Sequence, residues 1–131
     1  METYQITLYE LTTKNEVPLC VQADEAETTE SITIKASLFE NEVVASDYNY
    51  LPAFQIFRDK LLHLGYGIKC NGSRLNAVQS GMMQCTDKVY LVELGKQAFM
   101  KDIVHIWDYA DIEIFPNTNE QIAFFEKWAK R

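Results

Sequence analysis

The sequence predicts an α+β fold: a mixed, mostly antiparallel sheet with two main helices packed on it, in one domain over residues 1–131. Three observations predict it. Apolar and polar residues alternate with period two through most of the first 48 residues, in runs separated by short polar links. A segment opening at Pro52 places apolar residues at the i, i+3, i+4 spacing of a helix. A second helical pattern, introduced by Pro116, closes the sequence. A chain of 131 residues is long enough to bury a core without disulfide or metal staples. At 47% hydrophobic and 24% charged residues its composition is globular rather than disordered or fibrous.

Residues 5–12 read as a first strand apolar on much of both faces, with Ile6, Leu8 and Glu10 on one side and Thr7, Tyr9 and Leu11 on the other. Residues 17–22 read as its antiparallel return. Pro18 has no N–H to give a ladder, so this strand is expected at a sheet edge or beginning after the proline. Residues 24–30 are expected to be an acidic loop. Residues 31–39 and 42–46 then form a hairpin around Glu40 and Asn41.

Pro52 suits the first turn of a helix. Ala53, Ile56, Phe57, Lys60, Leu61 and Leu64 mark its buried stripe, Gln55, Arg58, Asp59 and His63 its outer face, and Gly65 its end. Asn71-Gly72 predicts a two-residue hairpin turn between strands at 66–70 and 75–78. Ser80-Gly81 closes that unit, and further strands are expected at 88–94, 103–107 and 112–115. In the last helix Thr118 is the expected cap and Gln121 its capping-box partner. Ile122, Phe125 and Ala129 form one apolar row, Phe124 and Trp128 another. Lys127, Lys130 and Arg131 oppose the negative end of the helix dipole.

Charge is distributed unevenly. Residues 1–48 carry ten acids against Lys14 and Lys35, a net −8, while the remainder is +1, giving −7 overall. Such a field repels phosphate backbones and anionic lipid and attracts basic proteins, so direct nucleic-acid binding and membrane association are not expected. No apolar run reaches the roughly 18 residues of a membrane span. Met1-Glu-Thr-Tyr-Gln5 has no secretory-signal character, and three widely spaced cysteines suit a reducing compartment, so a cytoplasmic protein is expected.

Candidate sites are few. Cys70 with His63 or His105 has the residue types of a nucleophile and base, but no nucleophile motif surrounds it. Asp102, His105, Asp108 and Asp111 recur every third residue. On a strand that spacing splits them across two faces, so neither a metal nor any other cofactor is expected. Arg74, beside Asn71, Gly72 and Ser73, is the ligand-binding candidate. Its competing role is an internal pair with Asp108 or Asp111. For a protein partner the candidates are Asp24, Glu25, Glu27, Glu30, Glu40, Glu42 and Asp47, with Tyr48 and Tyr50 as aromatic anchors among the acids.

One pattern extends beyond single residues. Gly65-Tyr-Gly-Ile-Lys-Cys-Asn-Gly-Ser-Arg74 is followed by Ser80-Gly-Met82, by Lys88-Val-Tyr-Leu-Val-Glu-Leu-Gly95 and by Trp107-Asp108. Across residues 52–115 the chain thereby resembles a group of small bacterial proteins from toxin–immunity neighbourhoods. The resemblance implies an immunity protein that binds and neutralises a secreted toxin. With acids concentrated over residues 24–47, the protein is expected to occlude a basic, nuclease-like toxin domain stoichiometrically. Its acidic surface would stand in for the toxin's nucleic-acid substrate. The alternatives are a small enzyme or ligand-binding protein using Cys70, Arg74 and His105, and a module that self-associates through a strand edge.

Overall fold

The computed structural model describes residues 1–26 and 30–130. A curled five-stranded sheet in the order β4-β3-β2-β1-β5 is formed by β1 (Glu2–Glu10), β2 (Glu16–Glu25), β3 (Ile32–Leu38), β4 (Asn41–Asp47) and β5 (Tyr66–Ile68). A smaller sheet, in the order β6-β7-β8, joins β6 (Ala77–Val78), β7 (Lys88–Leu91) and β8 (Ile103–His105). All pairings among the named strands are antiparallel, and two helices, α1 (Tyr50–His63) and α2 (Thr118–Ala129), pack with them. Among the described residues no helix is long and apolar enough to cross a membrane.

Period-two alternation decides which face of the large sheet is dry. Ile6, Leu8, Leu19, Val21, Ile32, Ile34, Val43 and Ala45 point to one side and are buried. They meet Ala53, Phe54, Phe57 and Leu61 of α1.

Pro18 lies inside β2, and β2 is internal to the sheet, so the edge expectation needs correction. Its register explains the tolerance. Pro18 faces Thr7, whose carbonyl accepts from Lys69 N–H on the far side of β1, so this pair exchanges no hydrogen bonds. The missing N–H therefore points toward β3, which pairs with β2 only from Gln22 onward. Locally, Pro18 is at an edge after all. The strand also runs further than expected, so Asp24 and Glu25 are strand residues opposite Thr33 and Ile32. Residues 27–29, the centre of the expected acidic loop, lie outside the described residues, as does Arg131.

Other elements shift. Leu38 pairs with Asn41, so the β3–β4 turn is Phe39-Glu40, with Phe39 at φ 54°. Asn71-Gly72 is not a hairpin turn. Asn71–Ser73 is a 3₁₀ turn, and neither Asn71 nor Gly72 has positive φ. Gly72 is required for space, since a Cβ there would meet Ile106 Cγ2 at 2.7 Å. Residues 112–115 form no strand. They place Phe115 over Gly67 and stacked on Tyr9, with ring centroids 5.2 Å apart.

Both helices keep part of the expected pattern, with Ala53, Phe57 and Leu61 buried and Phe124 and Trp128 half-buried, and depart from the rest. In α1, Ile56 and Leu64 are exposed while Gln55 and Arg58, expected outside, are buried. In α2 the expected row Ile122, Phe125 and Ala129 is exposed, and Gln121 is the buried residue. One polar clasp joins the buried polar residues that depart from the pattern. Arg58 Nη2 donates to Gln121 Oε1 at 2.7 Å and to Thr118 Oγ1 at 3.2 Å, and Arg58 Nε donates to Asp59 at 2.8 Å. Gln55 Nε2 also donates to Gln121 Oε1. Gln121 Nε2 donates to the carbonyls of Gly72 and Arg74 at 2.9 and 2.7 Å. Since Thr118 and Gln121 serve the clasp, the capping box moves back one residue. Asn117 Oδ1 accepts from Glu120 N–H, and Glu120 Oε1 from Asn117 N–H.

Candidate functional site

Cys70 follows β5, fully buried, with its Sγ 3.6 Å from Ser73 Oγ. Burial pushes the thiol pKa up to about 11, against the smaller opposing pull of Ser73 and Arg58. That is the reverse of nucleophile activation. No base faces it either. His63 is exposed on α1, and the His105 ring points to Asp87, with Nδ1 3.5 Å from Oδ1. Native thiol titration is expected to label Cys20 and Cys85, both exposed, and to reach Cys70 only after denaturant is added. Three fast thiols in the native protein would show that this core is open.

Arg74 is half-buried, and its Nε donates to Asn71 Oδ1 at 3.2 Å. Of the two carboxylates expected as its internal partner, Asp111 is committed elsewhere and Asp108 is exposed. Lys69 Nζ lies 3.0 Å from both Asp111 Oδ1 and Glu16 Oε2. The paired lysine holds Asp111 below the usual carboxylate range, and the two carboxylates hold Lys69 above the usual amine range. The every-third-residue series is likewise dispersed. Asp102 accepts from Phe99 N–H, His105 turns to Asp87, Asp111 to Lys69, and Asp108 is exposed. Among the described residues no group of three or more His, Cys, Asp or Glu side chains is placed to hold a metal ion.

The acids divide between two ends of the large sheet. Glu40 and Glu42 sit at the β3–β4 turn. Asp24, Glu25, Glu30 and Asp47 sit at the other end, about 20 Å away along the strands. Of these, Asp47 is turned inward, accepting from Asn49 N–H at 3.1 Å. Glu27 lies outside the described residues. The register pairs Glu2 with Ala23, which brings the start of β1 beside Asp24 and Glu25.

Here a groove of about 560 Å³ opens between the sheet end and the segment 85–88. Glu2, Asp24, Glu25 and Asp87 line it, with Lys88 and the Met1 amino group as the basic groups. A smaller adjoining hollow adds Glu30 and shares Glu25 and Cys85 with it.

Tyr4 and Tyr50 also line the groove. Tyr4 OH donates to Asp87 Oδ2 at 3.2 Å, and its ring stacks on Trp107 at 5.4 Å. Tyr50 is 3% exposed and its hydroxyl accepts from Trp107 Nε1 at 2.8 Å. It therefore cannot be the protruding anchor expected of it. The aromatic core claims the ring, and of the pair only Tyr48, 70% exposed, is free to meet a partner. Burial, reinforced by the neighbouring acids, raises both the Tyr4 and Tyr50 phenol pKa values, so both stay neutral.

Sequence reasoning missed Glu2 and Asp87. Glu2 stood in the acidic count, but its place depended on strand register. Asp87 belongs to the half of the chain without acidic excess, and no local pattern marked it. Searches against family models and against curated proteins find no match to this chain.

Proposed function

We propose that the chain is an immunity-type binding protein that neutralises a basic, nuclease-like toxin domain by occluding its substrate-binding surface. The observation that carries this reading is the groove at the sheet end. Carboxylates of Glu2, Asp24, Glu25 and Asp87, with Glu30 in the adjoining hollow, outnumber Lys88 and the Met1 amino group there. A row of carboxylates presents the same sign of charge as a phosphate backbone, so a surface built for nucleic acid accepts it. Exposed Tyr48 supplies an apolar contact outside the groove. Glu40 and Glu42 belong to the opposite end and have no part in this contact. The self-association alternative has less to work with, because Lys60 Nζ already occupies the carbonyl of Val44 on edge strand β4 at 2.6 Å.

Capture of a basic partner from native lysate tests the proposal. A partner retained at about 50 mM salt and shed at about 500 mM is expected, because screening shortens the reach of the groove's field. Asp24→Lys with Glu25→Lys should abolish retention, and Glu40→Lys with Glu42→Lys should leave it. Equal loss from both double variants would reduce the effect to net charge and remove the groove from the account.

A further inference from the structure

Between the first turn of α1, β6 and α2 lies a cavity of about 210 Å³ that contains no ionisable side chain. Leu51, Pro52, Ala77 and Val78 line it from α1 and β6, and Ile122 and Phe125 from α2. These two α2 residues are 46% and 40% exposed, turned toward the cavity because the clasp holds Gln121 inward. The remaining lining is amide. Gln121 is fixed by the clasp, with its oxygen and nitrogen both engaged twice. Gln79 is fixed too: its Oε1 accepts from Leu51 N–H, and its Nε2 donates to the carbonyls of Met83, Thr86 and Lys88.

Gln55 differs. Its Nε2 is held by Gln121, which orients the group, yet its carbonyl oxygen has no protein donor among the described residues and is not sealed from solvent. Gln55 lines the cavity, so this acceptor is within reach of a molecule bound there. At the rim the side-chain amide of Gln84 is likewise unengaged among the described residues.

We propose that this cleft binds a small, uncharged, planar molecule bearing an amide-type N–H, such as an aromatic carboxamide or a nucleobase-sized heterocycle. The ring lies against Phe125 and Ile122, and the N–H donates to Gln55 Oε1. Size, charge and polarity each contribute. A cavity of about 150 Å³ already accepts a benzene ring in another protein, so this one holds a ring with a polar substituent. An ion would be desolvated without any counter-charge, which excludes carboxylates and amines. A pure hydrocarbon would leave the Gln55 acceptor unmet. The acidic groove has no part in this, so the cleft is expected to function equally in a protein with Asp24→Lys and Glu25→Lys.

Titration with benzamide, followed through side-chain amide resonances by heteronuclear NMR, tests the proposal. Saturable shifts at Gln55 and Gln84 are expected, with a dissociation constant on the order of a millimolar. Benzoate, of the same shape but charged, should leave them in place. Phe125→Ala should weaken benzamide by about fivefold, and Phe39→Ala, at the far turn, should not. Phe125 is partly exposed, so a native amide spectrum is expected of the variant, and Ile122→Ala gives a second probe of the same wall. Non-saturating shifts, equal response to benzoate, or unchanged affinity in both wall variants would overturn the proposal. Shifts that follow protein concentration without benzamide would also overturn it, by assigning the cleft to a second copy of the chain.

Discussion

Arg58→Ala is expected to destabilise the fold by about 3–5 kcal/mol, read as a fall in the urea midpoint. Arg58 is 0% exposed, and the clasp it centres spans three segments: α1, the turn at Asn71–Ser73 and α2. Truncation removes donors from Gln121, Thr118 and Asp59 together and leaves a void beside Phe54, over whose ring the guanidinium sits at 5.6 Å. The arginine is also imperfectly served, since its Nη1 is buried without a partner among the described residues. Both Arg58→Ala and Arg58→Met remove the orphaned donor, but only methionine refills much of the volume, so Arg58→Met should cost clearly less. Equal losses would place the energy in the hydrogen bonds alone. A cost for Arg58→Ala below about 1 kcal/mol would mean that the clasp does not hold the helices together.

Trp107→Ala should cost a comparable amount, about 3–5 kcal/mol, and for a different reason. Its ring meets Phe54 edge-on at 5.2 Å and Phe57 at 6.2 Å, and stacks on Tyr4. Here the loss is area and packing, with one hydrogen bond added, from Nε1 to Tyr50. Tyr50→Phe isolates that bond and should cost about 1 kcal/mol. Urea midpoints by far-UV circular dichroism separate the two, since that signal does not need the tryptophan. If Trp107→Ala costs no more than Tyr50→Phe, the aromatic cluster contributes little beyond its hydrogen bond. Tyr4 leans on Trp107 and bonds Asp87, so this variant should loosen the acidic groove too.

What was legible in the sequence follows from how local each signal is. Alternation along 5–12 and 31–39 gave the strands, because period two is set by the pleat alone, while the choice of inner face came from what packs on the sheet. Gly65 gave the end of α1, its φ of 97° being a backbone requirement that any neighbourhood would impose. Facing was harder. Arg58 and Gln121 look like surface residues by type, yet each is buried because the other is there, and they are 63 residues apart. Asn71-Gly72 misled for a related reason. Its glycine answers to the methyl group of Ile106, not to a turn. The acidic half was visible as a count, and its separation into two ends depended on register. Asp87 enters the groove only because β7 and β8 bring the segment before them against the end of the first sheet.

The way α2 is fastened has a thermal consequence. Among its residues Gln121 is the one fully buried, beside half-buried Phe124 and Trp128, so releasing this helix would uncover a larger polar share than opening the core between α1 and the sheet. Polar exposure lowers the heat capacity while apolar exposure raises it. Detachment of α2 should therefore carry a smaller heat-capacity change per residue released than opening the core, and a flatter curve of free energy against temperature. The sheet and α1, joined through an apolar core, follow the usual dome instead. On cooling, where the hydrophobic effect fades, the clasp is the attachment that weakens least.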